Sequence, residues 1–239
     1  MIRSALLLSL FISILFAVSC GEQNPLNTAL DPSGTYQMTV EYTDYEMSCT
    51  LTLVKNENGF LTAIWDYGDE DGSTYMNTAV CFGENYLAIC ETGDPPILDI
   101  LTIGDGALSG YWVDYAYDKL LQIHGTTEDG NDLPEPPELM TYDNPGAYSI
   151  DGDNPDGSNY IGYLYFEPFG KVLSCDQTIT PADEPNSNYY GVAVVIDDYL
   201  VMAVSSFLCV YTPSGNDWNG VLVDYSEDVV TDENLTYTE

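Results

Sequence analysis

Thr35-Tyr36-Gln37-Met38-Thr39-Val40-Glu41-Tyr42 alternates polar and apolar side chains without a break. Tyr36, Met38, Val40 and Tyr42 fall on one face, and Thr35, Gln37, Thr39 and Glu41 on the other. A period of two marks a strand with one face buried. The pattern continues outward from this stretch. Cys49, Leu51 and Leu53 alternate with Ser48, Thr50 and Thr52. A turn at 56–59 leads to a third strand at 61–65, and an acidic loop follows at 66–72. Further strands fit at 75–82, 86–91, 97–103, 108–115 and 120–124. The breaks carry Gly, Asn, Asp and Pro, the residues that tight hairpins require. Downstream of residue 20 no amphipathic helix of ordinary length is legible.

The segment 126–141 carries Pro134, Pro136 and Pro137 among acids. Proline removes a ladder donor and stiffens the chain, so this segment reads as a linker. Beyond it the first half is echoed in order. Asp31-Pro32-Ser33-Gly34-Thr35-Tyr36 returns as Asp143-Asn144-Pro145-Gly146-Ala147-Tyr148. Glu84-Asn85-Tyr86-Leu87 returns as Asp197-Asp198-Tyr199-Leu200, and Gly110-Tyr111-Trp112-Val113-Asp114-Tyr115 as Gly220-Val221-Leu222-Val223-Asp224-Tyr225. Three matches in register indicate a tandem duplication. The expected fold is all-β: two tandem antiparallel β-barrel-like units at 31–125 and 142–239, with two β-sandwich domains as the alternative. The G-x-Y openings, consecutive hairpins and the G-x-W-like strand at Gly110-Tyr111-Trp112 resemble the calycin plan of lipocalins and avidins. The repeat is also similar to duplicated G-x-Y/G-x-L units of some bacterial secreted proteins.

Ahead of the first unit stand Met1, Ile2, Arg3 and Ser4, then an apolar run from Ala5 to Val18 and the tetrad Ala17-Val18-Ser19-Cys20. One positive charge, a short apolar segment and small residues form the layout of a secretory signal. The tetrad resembles the lipobox of bacterial lipoproteins. That resemblance implies removal of residues 1–19, lipidation of Cys20, a tether at 20–30, and attachment to the bacterial envelope at the outer membrane or cell surface.

Charge narrows the partners. Four Lys and Arg stand against 39 Asp and Glu, a net charge of −35. Without Arg3 the cations are Lys55, Lys119 and Lys171. Such a surface repels phosphate backbones, which excludes nucleic acid, and repels anionic headgroups, so membrane contact falls to the lipid. A salt-rich habitat is one reading of the acidity; divalent-cation binding is another. Disorder is not, because 20 Tyr, 7 Phe and 3 Trp supply ample apolar surface. Beyond Cys20 there are Cys49, Cys81, Cys90, Cys175 and Cys209, an odd number that leaves at least one thiol free in a monomer. With Glu84-Asn85 at the centre of a hairpin, Cys81 and Cys90 share a face diagonally, and a bridge between them stays open.

Motifs for chemistry are sparse. The stretch 151–157 lacks the first EF-hand ligand, and its twelfth position is Tyr163 where Glu belongs, so it reads as a hairpin turn. The acidic loops leave room for weak calcium binding, with no cofactor and no metal site expected. His124, the only histidine, has no G-x-S-x-G partner. Among so many acids a carboxylate pair carries no information, which leaves a carboxylate-dependent glycoside hydrolase as the remote enzyme alternative. The feature singled out is a repeated acid. Asp114 shares a strand face with Trp112, and Asp224 shares one with Trp218. If those faces point inward, each unit carries a carboxylate and an aromatic at its mouth, fit to orient a ligand. The expected protein is therefore a lipid-anchored, non-enzymatic binding module for an extracellular polymer or a small molecule. Two filled cores without an aromatic pocket argue instead for a structural surface protein.

Overall fold

The computed structural model describes residues 25–41, 46–57, 60–68, 72–91, 97–104, 107–114, 119–127, 142–143, 145–181, 185–224 and 229–238. The signal segment, Cys20 and most of the 126–141 linker lie outside these residues. Sixteen strands are described. The first half contributes β1 (Gly34–Glu41), β2 (Glu46–Lys55), β3 (Leu61–Asp66), β4 (Thr74–Phe82), β5 (Tyr86–Glu91), β6 (Ile97–Gly104), β7 (Ala107–Asp114) and β8 (Lys119–Thr127). The second contributes β9 (Ala147–Asp153), β10 (Asn159–Phe169), β11 (Val172–Pro181), β12 (Ser187–Ile196), β13 (Tyr199–Val204), β14 (Phe207–Ser214), β15 (Asp217–Asp224) and β16 (Val229–Tyr237).

The strands close into two eight-stranded antiparallel barrels, as the alternation led one to expect. The barrels are not the two halves, however. Barrel 1 runs β1-β2-β3-β4-β5-β14-β15-β16 and closes through Tyr36↔Tyr237. Barrel 2 runs β6 through β13 in chain order and closes through Met202↔Asp99. Each barrel therefore takes five strands from one half and three from the other. The units at 31–125 and 142–239 survive as sequence repeats, each of eight strands, but not as separate barrels. Consecutive strands usually pair, which is why the chain reads as self-contained halves. Here the chain leaves barrel 1 after β5 and returns to it after β13.

The registers show what the repeated residues are for. Gly110 faces Leu101 across β6–β7, and Gly220 faces Tyr211 across β14–β15. A Cβ on Gly110 would lie 2.1 Å from the Ile100 carbonyl oxygen, and one on Gly220 would lie 2.2 Å from that of Val210. Only glycine lets the neighbouring strands approach so closely where the sheet coils. Both lumens are filled. Met38, Leu51, Trp65, Ile89 and Tyr211 pack inside barrel 1, and Leu101, Tyr148, Leu164, Phe166 and Leu200 inside barrel 2. Eight strands give an interior about wide enough for side chains to fill.

A third core lies between the barrels. Phe82, Ala88 and Cys90 of barrel 1 pack with Leu98, Ile100 and Val201 of barrel 2, joined by Leu208 and Val223. β4, β6 and β13 are thus covered on both faces over most of their length. Tyr86 on β5 also donates a hydrogen bond to Asp197 of the β12–β13 turn, which pushes its phenol up to about 12.

Two further expectations change. The last residues of the 20–30 tether belong to the fold. Asn27 N–H donates to Cys81 O (2.8 Å), Gly83 N–H donates to Pro25 O (2.7 Å), and Lys55 Nζ donates to the Thr28 carbonyl (2.8 Å). The Cys81–Cys90 bridge is ruled out by register. The hairpin pairs Phe82↔Tyr86 around three turn residues, so Cys81 points into barrel 1 and Cys90 into the inter-barrel core. All five described cysteines are buried and none is in a disulfide, and burial pushes the Cys49 and Cys81 thiols up to about 12. Cys49 and Cys81 stay protonated, and thiols in that state are poor nucleophiles.

Candidate functional site

Trp112, Trp218 and Asp224, three of the four residues expected at the barrel mouths, do not come together in a site. Trp112 is a core residue of barrel 2, and its indole N–H donates to Asp153 O (3.2 Å). Trp218 is a core residue of barrel 1, hydrogen-bonded to the Tyr36 hydroxyl. Tyr36 itself donates to Pro32 O (2.7 Å). Asp224 is half-buried and ends β15 opposite Phe207, whereas Trp218 opens that strand opposite Pro213. Six residues along a strand separate them by roughly 20 Å. Asp114 ends β7 opposite Ile97 and Lys119, and its side chain lies outside those described. The faces do point inward, as the repeat suggested, but the aromatics plug the lumens and line no mouth. Of the 151–157 stretch, residues 151–153 end β9 and the rest form the β9–β10 turn, closed by Asn154 N–H to Ser158 O (2.7 Å). Among the described residues no cluster of His, Cys, Asp and Glu is arranged to hold a metal.

Two carboxyl groups that the sequence did not single out are buried in the lumens. Asp99 on β6 is 1% exposed, and neither oxygen has a hydrogen-bond partner among the described residues. It faces Met202 and Trp112 on its neighbouring strands. Glu233 on β16 is 2% exposed; its Oε1 accepts from the Tyr211 hydroxyl (2.8 Å), and Oε2 has no partner. Desolvation pushes each carboxyl up to about 8. A lone carboxylate is costly to ionise in an apolar interior, so the proton is retained. The two acids sit in different barrels, so they form no catalytic pair.

What remains accessible is outside. On the outer wall of barrel 2, the registers set Tyr165 of β10, Asp176 of β11 and Tyr190 of β12 in one row. Ile161 and Tyr163 continue the exposed apolar face along β10. Tyr165, Glu167, Ser174, Asp176 and Tyr190 line a shallow hollow of about 190 Å³. Tyr165 Oη donates to Glu167 Oε1 (3.1 Å), which raises the phenol pKa. With strands about 4.8 Å apart, the two tyrosines stand roughly 10 Å from each other across Asp176.

The duplication supplies an internal comparison. Through the strand registers, the counterparts of Tyr165, Asp176 and Tyr190 in barrel 1 are Thr52, Ile64 and Met76. The barrel does not demand tyrosines at these positions. The signal for this face was present in Tyr-x-Tyr-x-Glu at 163–167, but alternation alone could not separate outward from inward. Compared with known families, curated proteins and solved structures, this double β-barrel chain matches none.

Proposed function

We propose that this chain is a lipid-anchored, envelope-exposed, non-enzymatic binding protein that takes up neutral saccharide on the outer wall of barrel 2. The observation that carries the reading is the Tyr165–Asp176–Tyr190 row, present on one barrel and replaced by Thr, Ile and Met on its duplicate. The flat face of a sugar ring packs against an aromatic face, while its hydroxyls donate to carboxylates; the filled lumens leave this work to an outer surface. Asp176, Glu167 and the net charge of −35 disfavour anionic polymers, so the saccharide is an uncharged one. Affinity electrophoresis in gels containing neutral glucans or mannans tests this. The parent chain is expected to be retarded, Tyr165→Ala and Tyr190→Ala to lose most of the retardation, and Tyr75→Ala on barrel 1 to keep it. Equal mobility of all four proteins in every neutral gel contradicts the reading.

The anchor rests on the lipobox resemblance. Only four residues separate Cys20 from Pro25, where the docked segment begins, a reach of at most roughly 18 Å when fully extended. Barrel 1 is then held close to the membrane while barrel 2 presents the tyrosines. Acyl chains contribute about 0.8 kcal/mol per buried CH₂, so two or more give firm attachment. Cys20→Ala is expected to move the protein to the soluble fraction or block processing. Unchanged membrane association and mature size refute lipidation.

A further inference from the structure

The two sides of the inter-barrel junction are counterparts under the duplication, yet one is full and the other is open. On the full side, Phe60 and Phe82 fill positions whose counterparts are Val172 and Ile196; Val221, the third aliphatic residue of the open side, answers to Tyr111. Phe82 is completely buried there, stacked on Tyr86 at 5.1 Å and edge-on to Tyr199 at 5.5 Å. On the open side the three aliphatic residues line a cleft of about 230 Å³ between β11, β12, β14 and β15. Its apolar wall is completed by Val194 and Val210, and the Lys171–Asp232 ion pair stands at its rim.

Apolar space in a close-packed junction forfeits the contacts that its lining could make. The full side shows what those contacts are made with: rings. We propose that the open cleft is a binding site for a single-ring aromatic small molecule with an uncharged polar substituent, a phenol in the simplest case. The ring packs against Val172, Val210 and Val221, and the hydroxyl donates to the Asp232 carboxylate at the rim. The Lys171–Asp232 pair leaves the rim locally neutral, and the overall charge of −35 favours the neutral phenol over a phenolate or an aromatic acid. The cleft lies between the barrels and shares no lining residue with the saccharide face on the outer wall of barrel 2.

p-Cresol, the tyrosine side chain as a free molecule, is the probe. Titrated into the 15N-labelled soluble chain, it is expected to give saturable shifts at Val172, Val210 and Val221 and to raise the thermal midpoint. Ile196→Phe restores the ring of Phe82 and is expected to weaken p-cresol binding at least tenfold while folding at least as stably as the parent. Should that variant not fold, Val172→Phe restores the ring of Phe60 and carries the same comparison. Shifts that do not saturate, or binding unchanged in the filled variant, overturn the proposal. A filled variant that folds but melts below the parent overturns it too, since the space is then taken by the chain itself.

Discussion

Urea midpoints of Asp99→Asn and of the parent chain are expected to cross between about pH 5 and about pH 9. Asp99 is fully buried with no partner for either oxygen, and its carboxyl titrates at about 8 in the folded state. In the unfolded chain an aspartate titrates near 3.9. The folded state thus holds a proton that the unfolded state has released across the interval between. Stability from this group is fully present below the unfolded value, falls as pH rises from about 4 to about 8, and levels off above that. The slope approaches 1.4 kcal/mol per pH unit for one group, and the total loss is of order several kcal/mol. Asparagine keeps the size and removes the titration. At about pH 5 the variant is expected to match the parent or fall slightly below it, because a buried amide also lacks partners. At about pH 9 it is expected to be the more stable by a few kcal/mol. Glu233→Gln is expected to act in the same direction, since Tyr211 can donate to the glutamine oxygen as it does to Glu233. Parallel pH curves for parent and variant contradict the burial of an unpaired acid. The repulsion of a −35 surface is nearly equal in both proteins, so the comparison isolates Asp99.

How far the fold was legible depended on whether a strand has one covered face or two. In β2 the burial alternates residue by residue from Ser48 to Leu53, and the sequence Ser48-Cys49-Thr50-Leu51-Thr52-Leu53 alternates with it. The class, two antiparallel barrels, followed from strands of that kind, from the repeated Gly-x-Tyr openings and from the echo of Gly110-Tyr111-Trp112 in Gly220-Val221-Leu222. The exchange of strands was not read. Its trace lay in runs that do not alternate, such as Leu200-Val201-Met202-Ala203-Val204, whose residues are all buried. A strand apolar on both faces must be covered on both faces. Those runs cluster around the crossings between barrels, where β5 leads to β6 and β13 to β14. The site was missed for a related reason. Trp112 and Trp218 were reached through the repeated acids Asp114 and Asp224 whose strand faces they share, and a large inward aromatic in an eight-stranded barrel is a plug for the lumen. Tyr165 and Tyr190 are unremarkable in a chain with 20 tyrosines, and only closure of the barrel shows that they face outward in one row. Asp99 was hidden among 39 acids, because nothing local distinguishes the one that is buried.

The strand exchange makes the second large prediction. If each half formed its own barrel, the linker would join two finished bodies. In the structure four ladders run between the halves: β1–β16, β5–β14, β6–β13 and β8–β9. Every barrel is completed by strands from the opposite half, and the inter-barrel core draws on both. Losing one half leaves rows of unpaired backbone groups and exposes both faces of strands such as β6, so neither half is expected to persist alone. The most direct measurement is to place a specific protease site within 128–141 of the soluble chain, cleave it to completion, and run the product on size exclusion in native buffer. The exchanged fold predicts one peak at the elution volume of the uncut protein, resolving into two fragments only in denaturant, with near-unchanged circular dichroism before that point. Two separate folded species of about half the mass, released in native buffer by cleavage alone, contradict it.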